Sequence, residues 1–233
     1  MSNIKRFNLN EIISSNNINI EIPIQTLISD IKIEKETSNI FKIEEIDIID
    51  ASSSIYFTQG ECKFLIAIFG PRETKYRDKI KNEEANIEIY TKFSVETNKE
   101  YTTYINSKIK KFVKNIILTK SYPKCQININ VSILKLFNNY NILLSSIFNG
   151  IIICLCLSGI DLKAMVLSKA FNENNNSILL SIDANENEKL LNFDSENPLS
   201  IEEYENYYNK TIKYIEEVYN KIKLILYQKL KIN

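Results

Sequence analysis

The sequence contains no histidine, and only four of its 233 residues are cysteines. Without histidine, Ser-His-Asp and Cys-His arrangements lack their proton acceptor, so catalysis of those kinds is excluded. The cysteines form no CxxC pair, which leaves the usual zinc-ligand sets almost nothing to draw on. They are Cys62, Cys125, Cys154 and Cys156. We therefore expect no metal site and no cofactor.

Net charge is also absent, because 29 basic residues balance 29 acidic ones. No global field then marks the chain as a free-standing nucleic-acid binder, so any such contact must be local. The longest apolar run, residues 142–157, is shorter than the roughly 20 residues that cross a bilayer. Ser145, Ser146, Asn149 and Gly150 interrupt it. We expect a buried helix there and no membrane partner.

The first residues of the chain and its cysteines indicate the cellular compartment of the protein. Residues 1–9 are polar and lack the apolar core of a signal peptide, and the thiols look unpaired. Both features predict a cytosolic or nuclear protein.

Short apolar runs bounded by turns, and alternation of apolar and polar residues, predict six strands. The first two form a hairpin around Gly60, and Pro71 is expected to end the second of them. Alternation is clearest in the third and fourth strands, which we interpret as half-buried. The predicted strands are residues 54–57, 62–69, 86–93, 126–134, 165–171 and 177–183.

Helical spacing predicts three helices. In the first, residues 105–117, apolar side chains share one face and lysines occupy the other. The second, residues 142–157, is apolar nearly all round and is expected to be central, with Gly159 near its end. The third begins after Pro198 with a capping box and carries a tyrosine stripe that we interpret as packing.

The order of strands, helix, strand, helix, strands and helix predicts an α+β layer fold. At this length one large domain is the simpler expectation, and two small domains packed together remain an alternative. We assign residues 43–233 to the domain and residues 1–42 to an N-terminal segment of uncertain structure.

Residues 50–171 resemble the RNase PH-like family in several short motifs that occur in the family's order. Asp50 to Ser54, followed by Phe57-Thr58-Gln59-Gly60-Glu61-Cys62, resembles its opening hairpin, and Phe69-Gly70-Pro71 its strand-ending Tyr-Gly-Pro. Tyr122-Pro123-Lys124 and Ser158-Gly159-Ile160 resemble later motifs. The resemblance implies an RNase PH-like (ribosomal protein S5 domain 2-like) fold, with mixed sheets packed against helices and a long C-terminal helix.

The resemblance also identifies a phosphate site that has degenerated. Active family members hold phosphate in a loop with glycines and an arginine, just before the buried helix. Phosphorolysis needs such an anion cradle, because inorganic phosphate is the attacking group. Here residues 137–144 contain neither glycine nor arginine. The degenerate positions are Asn138, Asn139, Asn141 and Leu143.

The family's two acidic positions fall on Ser181 and Asn187, so the metal-holding carboxylates are also expected to be lost. A shift of the alignment by two residues would place Asp183 at the first acidic position, and Glu186 also remains. A residual metal-binding role for Asp183 and Glu186 therefore stays open.

Within the family, the sequence resembles the non-catalytic subunits of the eukaryotic RNA exosome ring. This implies a structural and RNA-channel role in 3′–5′ RNA processing and degradation, including rRNA processing, in the nucleus, nucleolus and cytoplasm. The implied partners are other RNase PH-like subunits in a six-membered ring, S1/KH cap subunits, and RNA. Candidate sequence-independent RNA contacts are basic residues. They are Lys108, Lys110, Lys111, Lys114, Arg72, Lys75 and Arg77.

Two other functions remain open. The chain could be an active phosphate-dependent 3′–5′ exoribonuclease with a displaced site, which requires basic residues elsewhere to replace the cradle. It could also be a scaffold or interaction protein of the same fold that does not act on RNA, since fold alone does not determine function.

Overall fold

The computed structural model describes residues 41–74, 80–94, 99–135, 139–173, 176–185 and 189–232, with side chains as far as Tyr227. The assigned N-terminal segment, residues 1–42, lies almost wholly outside this range.

Five strands form the larger sheet, in the order β1-β2-β3-β5-β4. Neighbouring strands are antiparallel except β4 and β5, which are parallel and joined through a helix, as parallel neighbours require. The strands are β1 (Lys42–Glu45), β2 (Ser53–Gln59), β3 (Cys62–Glu73), β4 (Asn86–Phe93) and β5 (Cys125–Lys135).

Three strands form a second, antiparallel sheet in the order β6-β7-β8. They are β6 (Val166–Glu173), β7 (Asn176–Asp183) and β8 (Leu190–Ser195). Strand β7 is buried along its whole length, because it lies between two partner strands and is covered on both faces.

Three long helices pack against these sheets: α1 (Lys99–Ile116), α2 (Tyr140–Ser158) and α3 (Ile201–Ile232). A short 3-10 helix, Thr119–Ser121, follows α1. The capping box of α3 is present, since the Ser200 and Glu203 backbone N–H groups each donate to the other residue's side chain. The α3 tyrosines pack as expected, with Tyr207 buried and the others in the stripe partly buried.

Helix α2 is the centre of the molecule, and it contacts β2 and β3 of one sheet and β6 and β7 of the other. Within the described residues it is the one helix long and apolar enough to cross a membrane, and 83% of that stretch is buried. Gly159 ends it in the left-handed conformation, as predicted. On the α1 side, the Phe148 ring stacks on that of Phe112 with centroids 3.8 Å apart.

The predicted hairpin, half-buried strands, buried helix and C-terminal helix are all confirmed. The prediction that Pro71 ends the second strand is wrong. Strand β3 continues to Glu73, because the register shifts between Phe69 and Arg72 and β5 then pairs with the chain again. Strands β1 and β8 were not predicted. Both lie at sheet edges, so neither shows the apolar run of a buried strand.

Gly150 generates a prediction about stability. A Cβ atom at this position would lie 2.6 Å from Ile66 Cδ1 and 2.9 Å from Phe57 Cδ1, so α2 approaches the larger sheet too closely for a side chain. Gly150→Val should destabilise the fold by about 1–3 kcal/mol through overpacking. Urea unfolding measures the change.

The matched control is Asn115→Val at an exposed position of α1, where the two residues have similar helix propensity and little change is expected. An unchanged midpoint for Gly150→Val would contradict the close packing.

Candidate phosphate site and basic helix

The N-terminus of α2 is closed by its own capping residue. Asn139 has the extended backbone of an N-cap, and its Oδ1 accepts hydrogen bonds from the backbone N–H groups of Asn141 and Ile142, each at 3.1 Å. The Leu143 N–H donates to the Asn139 carbonyl at 3.1 Å. The amides of Asn141, Ile142 and Leu143, which could have received a phosphate oxygen at this helix end, are therefore engaged within the helix.

Strand β7 reinforces this closure. The Ser177 hydroxyl donates to Asn139 Oδ1 at 2.9 Å, and Asn141 Nδ2 donates to the Ser177 carbonyl at 3.0 Å. Within the described part of the chain, the buried Oδ1 of Asn141 has no hydrogen-bond partner. An orphaned acceptor presents lone pairs, which repel an anion. The fully buried side chain of Leu143 adds no polar group.

Three tyrosines surround this helix end. The Tyr140 ring lies 5.4 Å from that of Tyr104 and 6.4 Å from that of Tyr101, centroid to centroid. Burial raises the pKa of Tyr140 far above its ordinary value, and neighbouring Tyr104 and Asp194 add to the rise. The Tyr140 phenol is therefore neutral at physiological pH.

Lys108 is held in an ion pair with Asp194 of β8. Its Nζ lies 2.9 Å from Asp194 Oδ2 and 5.4 Å from the centre of the Tyr104 ring. The hydrogen bond that the Lys108 ammonium donates to the Asp194 carboxylate is the main reason that the Lys108 pKa is raised, so the ammonium stays charged. Among the candidate RNA contacts on α1, the charge of Lys108 is therefore partly offset by Asp194. The other candidates on this helix are exposed; they are Lys110, Lys111 and Lys114.

The structure describes only part of the second group of candidate RNA contacts, Arg72, Lys75 and Arg77. Arg72 is exposed near the end of β3, with its guanidinium carbon 5.8 Å from the centre of the Phe69 ring. Lys75 and Arg77 lie outside the described residues, as does Asn138 of the degenerate loop. Their proposed roles stay predictions.

The structure does not bring the two described acidic positions, Ser181 and Asp183, to the N-terminus of α2. Ser177 is the β7 residue beside Asn139, and Ser181 lies four residues farther along the strand, roughly 13 Å away at about 3.3 Å per residue. The buried Ser181 hydroxyl accepts a hydrogen bond from Ser168 at 2.8 Å.

Asp183 lies farther still along β7, roughly 20 Å from Ser177 by the same spacing. It pairs in register with Val166, next to Met165, whose sulfur is 3.8 Å from that of Cys156 near the other end of α2. Asn187 and Glu186 are outside the described residues. Among those described, no three acidic or cysteine side chains cluster as metal ligands would.

Ser177, Asp194, Tyr101, Tyr104 and Tyr140 were not predicted as site residues. The sequence contained a signal for two of these residues, Tyr101 and Tyr104. Tyr101, Tyr104, Lys108 and Lys111 follow one another at spacings of three and four, which places them on one side of α1. The partners from β7 and β8 gave no comparable signal, because their proximity depends on tertiary packing.

Comparisons with solved structures identify the fold. The fold is RNase PH-like, similar to rice (Oryza sativa) Rrp46 with a TM-score of 0.71 and 16% identity, over 81% of this chain and 94% of that one. An archaeal exosome core structure has a TM-score of 0.58 at 10% identity, over 79% and 87% of the two chains. The Archaeoglobus fulgidus exosome with RNA bound to the active site has a TM-score of 0.60 at 11% identity, over 79% and 89%.

A family match then covers more than half of the chain. Residues 42–161 match the family described as 3′ exoribonuclease family, domain 1, and the chain belongs to that family. No curated protein matches the sequence.

The cap at α2 generates a second prediction. Asn139→Ala removes the acceptor for two helix N–H groups and for the Ser177 hydroxyl, and should destabilise the protein by roughly 1–2 kcal/mol. Asn139→Asp keeps an acceptor at the same place and should unfold close to the native midpoint. Equal midpoints for both variants in urea would contradict the capping role.

Proposed function

We propose that this chain is a non-catalytic RNase PH-like subunit of an RNA exosome core ring. One observation carries the proposal: the α2 N-terminus, where the family resemblance locates the phosphate cradle, is closed by Asn139 and Ser177. The proposal explains why a member of an exoribonuclease family has kept the fold while the residues before this helix lack glycine and arginine.

The chemistry of phosphorolysis supports the loss of activity. Inorganic phosphate must be desolvated and held by several donors before it attacks the terminal phosphodiester. Here Asn139 Oδ1 is already bonded to three donors, and the side chains of Asn141 and Leu143 are buried. Opening this helix end for phosphate would break the hydrogen bonds of the Asn139 cap. The oxygen of the Asn139 side chain would then face an anion.

Assembly is the second part of the proposal. The fold similarity to exosome core structures supports partnership with other RNase PH-like subunits. We extend this to a six-membered ring with S1/KH cap subunits that passes RNA, in the nucleus, nucleolus and cytoplasm. In this role the subunit contributes structure and local basic charge, for which the exposed lysines of α1 are suited.

A direct assay tests the loss of catalysis. Purified full-length chain, incubated with single-stranded RNA, inorganic phosphate and Mg²⁺, should release no nucleoside diphosphates and leave RNA length unchanged, because it lacks an anion cradle. A phosphorolytically active RNase PH measured in parallel shows that the assay works. Phosphate-dependent release of nucleoside diphosphates would establish the displaced-site exoribonuclease instead.

Charge reversal on α1 tests the channel role in the assembled ring. Replacing Lys110, Lys111 and Lys114 by Glu should slow the passage of RNA to a downstream nuclease, because in the proposed role these exposed lysines contact RNA phosphates. Gel filtration should show the same assembly for variant and native chains. An unchanged passage rate would contradict the RNA contact.

Co-purification followed by mass spectrometry tests the assembly itself. Recovery of RNase PH-like and S1/KH partners with the tagged chain would support the ring. Their absence would favour a scaffold protein that does not act on RNA.

A further inference from the structure

Two apolar side chains near the end of α3 are exposed. Leu224 is 58% exposed and Tyr227 is 48% exposed, whereas Ile222 and Leu226 on another side of the helix are buried in the core. Leu224 and Tyr227 follow Lys221 at successive spacings of three, which places these residues along one side of α3. We call Leu224 and Tyr227 the α3 stripe, a surface suited to an apolar segment.

The N-terminal end of the described chain lies beside this stripe. The Lys221 ammonium donates a hydrogen bond to the Phe41 carbonyl at 2.8 Å and lies 4.5 Å from the centre of the Phe41 ring. Phe41 is itself buried against Phe57, with ring centroids 5.8 Å apart. Along the helix axis, Leu224 is only about 4.5 Å from Lys221 and Tyr227 about 9 Å, at 1.5 Å per residue. The residues before Phe41 therefore begin next to the stripe.

The sequence before Phe41 carries an apolar pattern of its own. After Pro23, a residue suited to the first turn of a helix, apolar residues recur at spacings of three and four. They are Ile24, Leu27, Ile28 and Ile31. The pattern predicts one apolar side, which needs an apolar surface to cover it. Residues 32–40 separate the pattern from Phe41 and can span up to roughly 30 Å, so the α3 stripe is within reach.

Charge favours the same pairing. Residues 221–232 of α3 contain four lysines and no acidic residue, whereas residues 21–36 contain four acidic residues and two lysines. The two segments therefore carry opposite net charges and attract each other. A second copy of α3 would bring like charges together at the stripe, which disfavours self-association there.

We propose that residues 24–31 pack against Leu224 and Tyr227 of α3 in the same chain. The contact joins the N-terminal segment to the C-terminal helix, and the bond between Lys221 and Phe41 fixes the point from which the segment starts. The proposal is independent of the role in RNA passage, because it uses neither the closed end of α2 nor the lysines of α1.

Tryptophan is absent from the sequence, so one introduced tryptophan is a unique fluorescent probe of the stripe. In the full-length chain, the indole of Tyr227→Trp should emit at a shorter wavelength than tryptophan in water, because residues 24–31 cover it. Adding Ile28→Asp should shift this emission to longer wavelength, because a buried carboxylate disfavours the contact.

Two controls match this experiment. Thr26→Asp adds the same charge on the opposite side of the predicted pattern and should leave the Tyr227→Trp emission unchanged. Tyr90→Trp places the probe on β4, where Tyr90 is 51% exposed, and its emission should not respond to Ile28→Asp.

Proteolysis tests the contact from the other side. In Leu224→Asp, trypsin should cleave the full-length chain after Lys32 and Lys35 faster than in the native chain, because an uncovered segment is cut more readily. The matched control is Ile201→Asp at the start of the same helix, where Ile201 is 78% exposed. It should leave the cleavage rate at these lysines unchanged, as measured by mass spectrometry.

A red shift confined to Ile28→Asp, together with faster cleavage confined to Leu224→Asp, would support the contact. Equal emission for Ile28→Asp and Thr26→Asp, or equal cleavage of the two α3 variants, would overturn it. Emission that moves to shorter wavelength only as protein concentration rises, or only when ring subunits are added, would also overturn it, and would make the stripe an interface between chains. Loss of RNA passage or of co-purification bears on the proposed function alone, so the two failures are distinguishable.

Discussion

Burial of α2 on every side is the constraint on which the rest of the structure depends. Because its apolar residues surround the helix, it must be covered by both sheets at once. Gly150 permits the close approach on one side. On the other, the Asn149 side chain bonds the backbone N–H and carbonyl of Ser168 at 2.8 Å each, which aligns β6 with the helix. The position of each helix end follows from this packing.

The candidate phosphate site is a consequence of that arrangement. A buried helix directs its N-terminal amides and its dipole to one point, which suits an anion when the preceding loop supplies further donors. In this chain Asn139 takes those amides itself, and Ser177 of β7 completes the closure. Apart from Leu143, the core that maintains the fold and the segment that would bind phosphate are different residues, so one can be retained while the other is lost.

Most of the elements were predictable because their signals are local. The alternation of residues 86–93 and the helical spacing of residues 105–117 each reflect one buried face, and both predictions were confirmed. The edge strands β1 and β8 are short and partly exposed, so neither carries a clear pattern. Proline at position 71 pointed to a strand end, but a shift of register accommodates it and the strand resumes.

The family resemblance, the α+β class, the central helix and the loss of glycine and arginine before it were determined by the sequence alone. They depend on residue identity and short-range spacing. Only the tertiary structure decided that Asn139 meets Ser177, 38 residues away, and that Lys108 pairs with Asp194, 86 residues away. Such contacts follow from how whole strands and helices pack, and no local pattern encodes which polar groups that packing brings together.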